Sequence, residues 1–189
     1  LFFLTRKQSP FIKDRLVPGY DFIDNDAVPD DKNMHGTHCS GIIKDNTPDN
    51  VKIMPVKVFN SDGRASDLSI SLGIDYAVKN GADILNMSFG GVCEEGYVCE
   101  QESAINRAIE AGVICVAAAG NESEDTSDYC PAKLKSCITV SSVDKNGTLS
   151  DFSNFGEAVD VAAPGEDIWS STYQEQVFSP HYKQPQRKM

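Results

Sequence analysis

Short apolar runs alternate along the chain with segments in which apolar residues recur every three or four positions. The runs predict five strands, at 51–59, 82–88, 113–119, 137–143 and 158–162. The periodic segments predict two helices, one that begins after Ser66 and ends at Gly81, and one that ends at Gly112. This alternation of strands and helices predicts an α/β fold, with a parallel sheet, right-handed crossovers and helices on both faces.

The strand predicted at 113–119 is nearly all apolar, which is typical of a strand buried on both faces of a parallel sheet. In such sheets the functional groups gather where the strands end. The segments 86–91 and 118–121 follow predicted strands. We therefore expect both segments at one edge of the sheet.

The length and the net charge of the chain limit its domain organisation and its possible partners. The chain has 189 residues, enough for one domain with a sizeable core, and its net charge of −11 argues against nucleic acid or an anionic membrane as a partner. Its apolar runs are shorter than a membrane span. Residues 174–189 are polar, rich in glutamine and basic, so we expect a divergent, disordered tail after a domain at 1–173.

The six cysteines include two close pairs in loop-like sequence. We predict disulfides between Cys93 and Cys99 and between Cys130 and Cys137 if the protein is secreted; the alternative is free thiols in mobile loops. Cys115 lies in an apolar strand and is predicted to be a buried small hydrophobe. The chain has no Cys-x-x-Cys, so a zinc ribbon has little support.

The run His-Gly-Thr-His-Cys-Ser-Gly at 35–41 contains the strongest candidate for chemistry. Small residues after His35 let a helix start pack tightly while the imidazole points into a cleft, as a general base requires. Two alternatives are a metal site shared with His38, which would need a third ligand, and a structural histidine bonded to backbone. Asn121, which follows Ala-Ala-Gly, is a candidate amide donor to an oxyanion, or part of a plain turn.

These stretches, in this order, resemble the motifs of subtilisin-like serine proteases (subtilases, peptidase S8), with features of the thermitase and proteinase K branches. The resemblance covers about 9–173 and implies a doubly wound, mainly parallel sheet and peptide-bond hydrolysis by an Asp-His-Ser triad. It implies that His35 is the general base, that His38 is structural and that Asn121 serves the oxyanion. It also implies an extended polypeptide substrate bound along Ser88, Phe89, Gly90 and Gly91, with a specificity pocket walled by Ala118, Ala119 and Gly120.

Acidic residues crowd the segment before His35, and an oxygen-rich loop suits calcium, which takes six to eight oxygen ligands. The spacing resembles the calcium loop of thermitase-type subtilases. This resemblance implies a structural calcium bound by Asp21, Asp24, Asp26, Asp30 and the carbonyl of Val28. The alternative is a solvated acidic loop.

The other two triad residues are not recognisable. In the alignment with the family, the aspartate position falls on Phe2 and the serine position falls on Gln176, so we predict a domain truncated at both ends, marginally stable and inactive as it stands. The alternative functions are a non-catalytic homologue that binds peptides or an inhibitory propeptide, and a calcium-binding structural module. The family and the cysteines imply secretion, and we expect a monomer.

Overall fold

The computed structural model describes residues 11–93 and 100–171. Its main sheet has four parallel strands in the order β3-β5-β7-β8. Their bounds are Ile84–Met87 for β3, Ile114–Ala118 for β5, Ile138–Val143 for β7 and Val161–Pro164 for β8. The predicted parallel α/β architecture is therefore confirmed.

Within the described residues, three α-helices accompany the sheet: α1 at His35–Asp45, α2 at Asp67–Lys79 and α3 at Glu100–Glu110. The predicted start of α2 is confirmed, because the Ser66 hydroxyl accepts the backbone N–H of Ser69 and the Ser69 side chain bonds back to Ser66 N–H. Gly81 and Gly112 lie just beyond α2 and α3 with φ of 79° and 85°, a left-handed conformation that glycine adopts at low cost.

Two short ribbons lie beside the main sheet. Strand β1 (Tyr20–Asp21) pairs in parallel with β2 (Val56–Lys57), and β4 (Gly91–Val92) pairs antiparallel with β6 (Tyr129–Cys130). The strand predicted at 51–59 is thus reduced to two residues. Pro55 has no N–H to donate to a ladder, although its carbonyl accepts the N–H of Tyr20 at 3.1 Å.

The core lies between one face of the sheet and the helices α2 and α3. Alternate strand residues point into it, and the helices contribute Ile74, Ala104 and Ile105, each 0% exposed. The sheet residues buried there are Leu85, Met87, Cys115 and Ala117.

The opposite face of the sheet corrects the expectation for strand 113–119. On that face Ile84, Ile114, Ile138 and Val161 are 44%, 50%, 41% and 49% exposed. The strand is therefore buried on one face only, because α2 and α3 both pack against the face that carries Leu85, Met87, Cys115 and Ala117.

The predicted Cys130–Cys137 disulfide is wrong, because both residues are free, buried thiols. Cys130 lies in β6, whereas Cys137 directly precedes β7 and lies beside Cys115. The predicted burial of Cys115 is confirmed at 2% exposure. Cys93 is not among the free thiols, but Cys99 lies outside the described residues, so that pairing stays a prediction.

The predicted division at residue 173 and the tail at 174–189 also lie outside the described residues. Within 11–93 and 100–171, no helix has the length and hydropathy needed to cross a membrane.

Candidate active site

His35 is the first residue of α1, and a buried carboxylate holds the helix start in place. The Asp31 side chain is 3% exposed and accepts backbone N–H bonds from Asn33 at 2.8 Å, Met34 at 2.9 Å and Thr37 at 2.9 Å. It also accepts the Thr37 hydroxyl at 2.6 Å. A carboxylate at a helix N-terminus satisfies otherwise unpaired N–H groups and favours the helix dipole.

Asp31 is a residue that our sequence analysis missed, because it stood among the acids before the histidine. The available signal was an acid shortly before His35, because an acidic side chain near a helix start can accept its unpaired N–H groups. Met34, between them, has φ of 80°, so the chain turns sharply to enter α1.

The His35 imidazole contacts the segment that follows β3. Its Nε2–H donates to the Ser88 carbonyl at 2.9 Å, and the Cys39 sulfur, one turn along α1, lies 3.9 Å and 4.0 Å from the two ring nitrogens. The bond to Ser88 brings α1 to the carboxyl edge of the sheet. This is the edge where the sequence predicted the functional groups.

These neighbours determine the protonation of His35. Burial lowers the pKa of His35, but the Cys39 sulfur, the Ser88 carbonyl and the Asp31 charge together outweigh it and raise the pKa from 6.5 to about 9. The ring therefore holds its proton more tightly than a free imidazole does. The pKa of His38, in contrast, is lowered by burial and by the charge of His35.

His38 and Gly41 attach α1 to the segment 168–171. The His38 Nε2–H donates to the Ile168 carbonyl at 3.2 Å, and the Ser170 hydroxyl donates to the His38 carbonyl at 2.5 Å. A Cβ on Gly41 would overlap with the side chains of Ser170 and Ser171. His38 thus makes backbone contacts rather than a metal site with His35, in agreement with the structural role that the resemblance implied.

Asn121 lies in an exposed loop beyond β5. Gly120 precedes it with φ of 114°, and the Asn121 backbone N–H donates to the Glu122 carboxylate at 2.8 Å. Asn154, which is 0% exposed, holds this loop: its Nδ2 donates to the Ala119 carbonyl at 3.1 Å, and its Oδ1 accepts the N–H of Glu122 at 2.9 Å. Our sequence analysis missed Asn154, since no local pattern links it to a loop more than 30 residues away.

The predicted peptide-binding segments occupy the same edge. Ser88, Phe89 and Gly90 lie between β3 and β4 outside any strand ladder in the described chain, and Gly91 begins β4. In the predicted pocket wall at 118–120, Ala118 and Gly120 are half-buried. Ala119 is 1% exposed, so its side chain belongs to the core.

The strand register relates these segments to one another. Because Met87 pairs with Ala117, the next positions on the two neighbouring strands are Ser88, which directly follows β3, and Ala118, the last residue of β5. His35 contacts the first of them, and Asn121 follows three residues after the second. A surface cavity of about 370 Å³ is lined instead by 13, 16–19 and 27, none of which is a candidate catalytic residue.

The predicted calcium site is not formed by the described residues. The Lys57 ammonium, 2% exposed at its side chain, lies 2.8 Å from the buried Asp21 carboxylate and 3.3 Å from Asp24. The carboxylate of Asp26 caps the N–H of Val28 at 2.7 Å, and Lys32 also binds Asp24, at 2.9 Å.

The remaining predicted ligand, Asp30, completes no site with these residues, because no group of three or more acidic, histidine or cysteine side chains in the described residues could hold a metal ion. Two ammonium groups already pair with the carboxylates of Asp21 and Asp24. The described residues therefore do not fit the calcium site that the resemblance implied.

Known proteins resemble this chain in sequence. The sequence model of the Subtilase family matches residues 6–189. The chain is 39% identical over 164 residues to alkaline serine exoprotease A of Vibrio alginolyticus, covering 84% of this chain and 30% of that protein. It is 36% identical over 176 residues to thermitase of Thermoactinomyces vulgaris, covering 88% of this chain and 62% of that protein.

A solved structure agrees with these matches. A cold-adapted subtilisin-like serine proteinase superposes on this chain with a TM-score of 0.83 at 35% sequence identity, covering 90% of this chain and 63% of that one. The chain spans 30% and 62% of the length of the two curated relatives. The family match over 6–189 is longer than the 9–173 expected from the motifs.

Proposed function

Since this chain belongs to the subtilase family of serine proteases, we propose that it is the part of an endopeptidase domain that carries the catalytic histidine and the oxyanion amide. The observation that carries the proposal is the bond from His35 to the Ser88 carbonyl, which holds an imidazole at the carboxyl edge of a parallel sheet. The residue roles are inferred from this position and from the family motifs.

In this proposal His35 is the general base and Asn121 is the oxyanion donor. A base in acyl transfer takes the proton of the nucleophile and returns it to the leaving amine, while amide donors stabilise the charge on the tetrahedral intermediate. The proposal requires that the imidazole of His35 and the carboxamide of Asn121 face one groove. The strand register, which puts Ser88 and Ala118 at equivalent positions on neighbouring strands, supports this.

We assign the binding of an extended peptide to the same groove. The segment Ser88–Gly91 offers backbone groups for strand addition, since 88–90 lie outside any ladder in the described chain. Ala118 and Gly120, both half-buried, form a wall of the pocket for one substrate side chain, and Ala119 supports that wall from the core.

We further propose that the chain as it stands does not turn over substrate. A general base must be neutral and its Nε2 must accept a proton. Here the pKa of His35 is raised to about 9, and its Nε2–H is donated to Ser88. The alignment that puts Phe2 and Gln176 at the other two triad positions supports the same conclusion, although both residues lie outside the described part of the chain.

A fluorophosphonate probe and a peptide titration test these statements together. We expect no labelling of the chain at serine, while calorimetry with an extended peptide that carries a non-cleavable bond shows saturable binding. Substituting Ala118 with Trp should weaken that binding. Substituting the exposed Lys79 with Gln, at the end of α2 that leads to the start of β3 and so to the opposite edge of the sheet, should not. Labelling would contradict the proposed inactivity, and the absence of binding would contradict the proposed groove.

The peptide titration, together with sequencing of the native transcript, distinguishes the alternative function. The alternative is a non-catalytic homologue that binds peptides or a propeptide. It would be identified by tight peptide binding and by a full-length transcript that encodes this chain without an aspartate and a serine in the triad positions. We also propose secretion and a monomeric state, on the strength of the family. Ultracentrifugation and analysis of the culture medium test these two proposals.

A further inference from the structure

Three free thiols lie in the core away from the candidate active site. Cys115, Cys130 and Cys137 are 2%, 0% and 4% exposed. Two of them are direct neighbours across the sheet. Val116 on β5 pairs in parallel with Ile138 on β7. The residues one position earlier, Cys115 and Cys137, therefore lie opposite each other.

Both side chains point to the buried face. On β5 the buried residues alternate with more exposed ones, and Cys115 shares its face with Ala117; Cys137 shares its face with Thr139, which is 0% exposed. Neighbouring strands are about 4.8 Å apart, within the range of about 4.4–6.8 Å between the Cα atoms of disulfide-bonded cysteines. The third thiol, Cys130, belongs to β6, a strand that pairs with β4 and not with the main sheet.

We propose that Cys115 and Cys137 are an oxidisable pair, and that thiol–disulfide exchange with a small-molecule disulfide such as oxidised glutathione closes them into a cross-link between β5 and β7. This assignment replaces the pairing that sequence proximity favours, Cys130 with Cys137. It does not depend on the proposed function of the groove.

The two thiols have different roles in the exchange. Cys137 donates a hydrogen bond to the Cys115 sulfur, which lowers the pKa of Cys115, whereas that bond and burial raise the pKa of Cys137. Burial and the charge of Glu102 raise the pKa of Cys130 to about 11. Since the thiolate is the attacking species, Cys115 is the nucleophile of the group.

The exchange is balanced in two steps. The Cys115 thiolate attacks one sulfur of oxidised glutathione, forms a mixed disulfide and releases one glutathione thiolate. Cys137 then gives its proton to the released glutathione thiolate, attacks the Cys115 sulfur of the mixed disulfide and releases the second glutathione, so that two protein thiols are oxidised and one glutathione disulfide is reduced. Because both sulfurs are buried in the folded chain, the exchange takes place during folding, when β5 and β7 have paired and the core has not yet closed over them.

The cross-link would act on the loop of the candidate site. The N–H of Ala119, the residue after β5, already donates to the Val140 carbonyl on β7 at 2.9 Å, and Asn121 follows two residues later. A disulfide between Cys115 and Cys137, a few residues before this hydrogen bond, would limit how far β5 and β7 can separate. The loop that closes between positions 115 and 137 is of a length for which a disulfide stabilises appreciably.

Peptide mapping tests the pairing directly. The reduced, denatured chain is refolded in a glutathione redox buffer, the monomer is isolated, and free thiols are alkylated under denaturing conditions before digestion. Trypsin alone leaves Cys115 and Cys130 in one peptide, because no lysine or arginine lies between them. A second protease that cleaves after Glu122 or Glu124 separates them.

We expect a linked peptide pair that contains Cys115 and Cys137, with Cys130 alkylated. A link between Cys130 and Cys137, a link between Cys115 and Cys130, or full alkylation of all three would overturn the proposal. Mapping the unmodified chain keeps the test valid even if a variant does not fold.

Matched variants add a second readout. The Cys130→Ser variant should keep the cross-link, and the Cys115→Ser variant should lose it. In a background that carries Cys93→Ser and Cys99→Ser, which removes the other predicted disulfide, the oxidised chain should unfold about 5–10 °C above the reduced chain, and this difference should vanish when Cys115→Ser is added. A difference that persists in Cys115→Ser would show that another disulfide causes it, and would contradict the assignment of the stabilisation.

Discussion

Removal of the Asp31 carboxylate should destabilise the start of α1 more than any exposed substitution would. In Asp31→Ala the backbone N–H groups of Asn33, Met34 and Thr37 lose their acceptor, and the Thr37 hydroxyl loses its partner. Thr37 is 0% exposed, so water cannot replace the carboxylate at that residue. The helix start, and with it the position of His35, depends on these four bonds.

The size of the effect follows from the same contacts. Loss of an N-terminal cap costs about 0.5–2 kcal/mol. Leaving buried donors unpaired costs a further 1–3 kcal/mol or so. We therefore expect Asp31→Ala to lower the free energy of unfolding by about 2–5 kcal/mol, which corresponds to a fall in Tm of very roughly 10 °C for a chain of this size.

Denaturant titration followed by circular dichroism measures this loss. Asp31→Asn, which keeps a carbonyl acceptor of the same shape, should lose about half as much as Asp31→Ala. The control is Asp151→Ala at an exposed position, which should change stability by less than about 0.5 kcal/mol. Equal stability of Asp31→Ala and Asp151→Ala would refute the assignment of Asp31 as the residue that organises the helix start.

Three further predictions concern other contacts. Lys57→Met should cost about 3–5 kcal/mol in chemical denaturation, because it leaves the carboxylate of Asp21 buried without a counter-ion. NMR titration of His35 should give a midpoint near 9, and Cys39→Ala should lower it. Since that pKa is raised on folding, the stabilisation is complete below about pH 6.5 and should be lost as the pH rises through about 9. Gly41→Ala should cost about 1–3 kcal/mol in thermal unfolding, because its Cβ would overlap with Ser170.

Each of these predictions has a matched control. Lys32→Met removes an ammonium from an exposed pair and should cost less than about 1 kcal/mol. The NMR midpoint of His38 should lie below 6.5, the reverse of His35. Gly91→Ala should be tolerated, because nothing lies within 4 Å of its added Cβ. A variant as stable as its control, or a His35 midpoint near 6.5, would contradict the corresponding contact.

Much of the fold was predictable because it depends on local pattern. Apolar runs predicted the four strands of the main sheet, and the Ser66 cap predicted the start of α2. Both signals depend on a few neighbouring residues. The run at 35–41 likewise predicted that His35 would lie at a helix start. These features need no knowledge of distant residues.

The contacts that hold the candidate site were not predictable in the same way. Asn154 reaches a loop 30 or more residues earlier, and Lys57 reaches Asp24 across 33 residues. The order of the strands in the sheet brings these partners together, and a short stretch of sequence does not reveal that order. The same reason explains the wrong Cys130–Cys137 pairing, which sequence proximity favoured. It also explains why the local density of acids favoured calcium where the fold places the Lys57 ammonium beside Asp21 and Asp24.

The central claim is that the His35 imidazole and the Asn121 carboxamide face one peptide-binding groove. NMR of the isotopically labelled chain, titrated with a non-cleavable extended peptide, tests it most directly. We predict that the ring signals of His35 and the side-chain amide signals of Asn121 shift together and yield one dissociation constant, while the amide of the exposed Asn146 stays in place. Saturable binding that moves only one of the two, or neither, would contradict the claim.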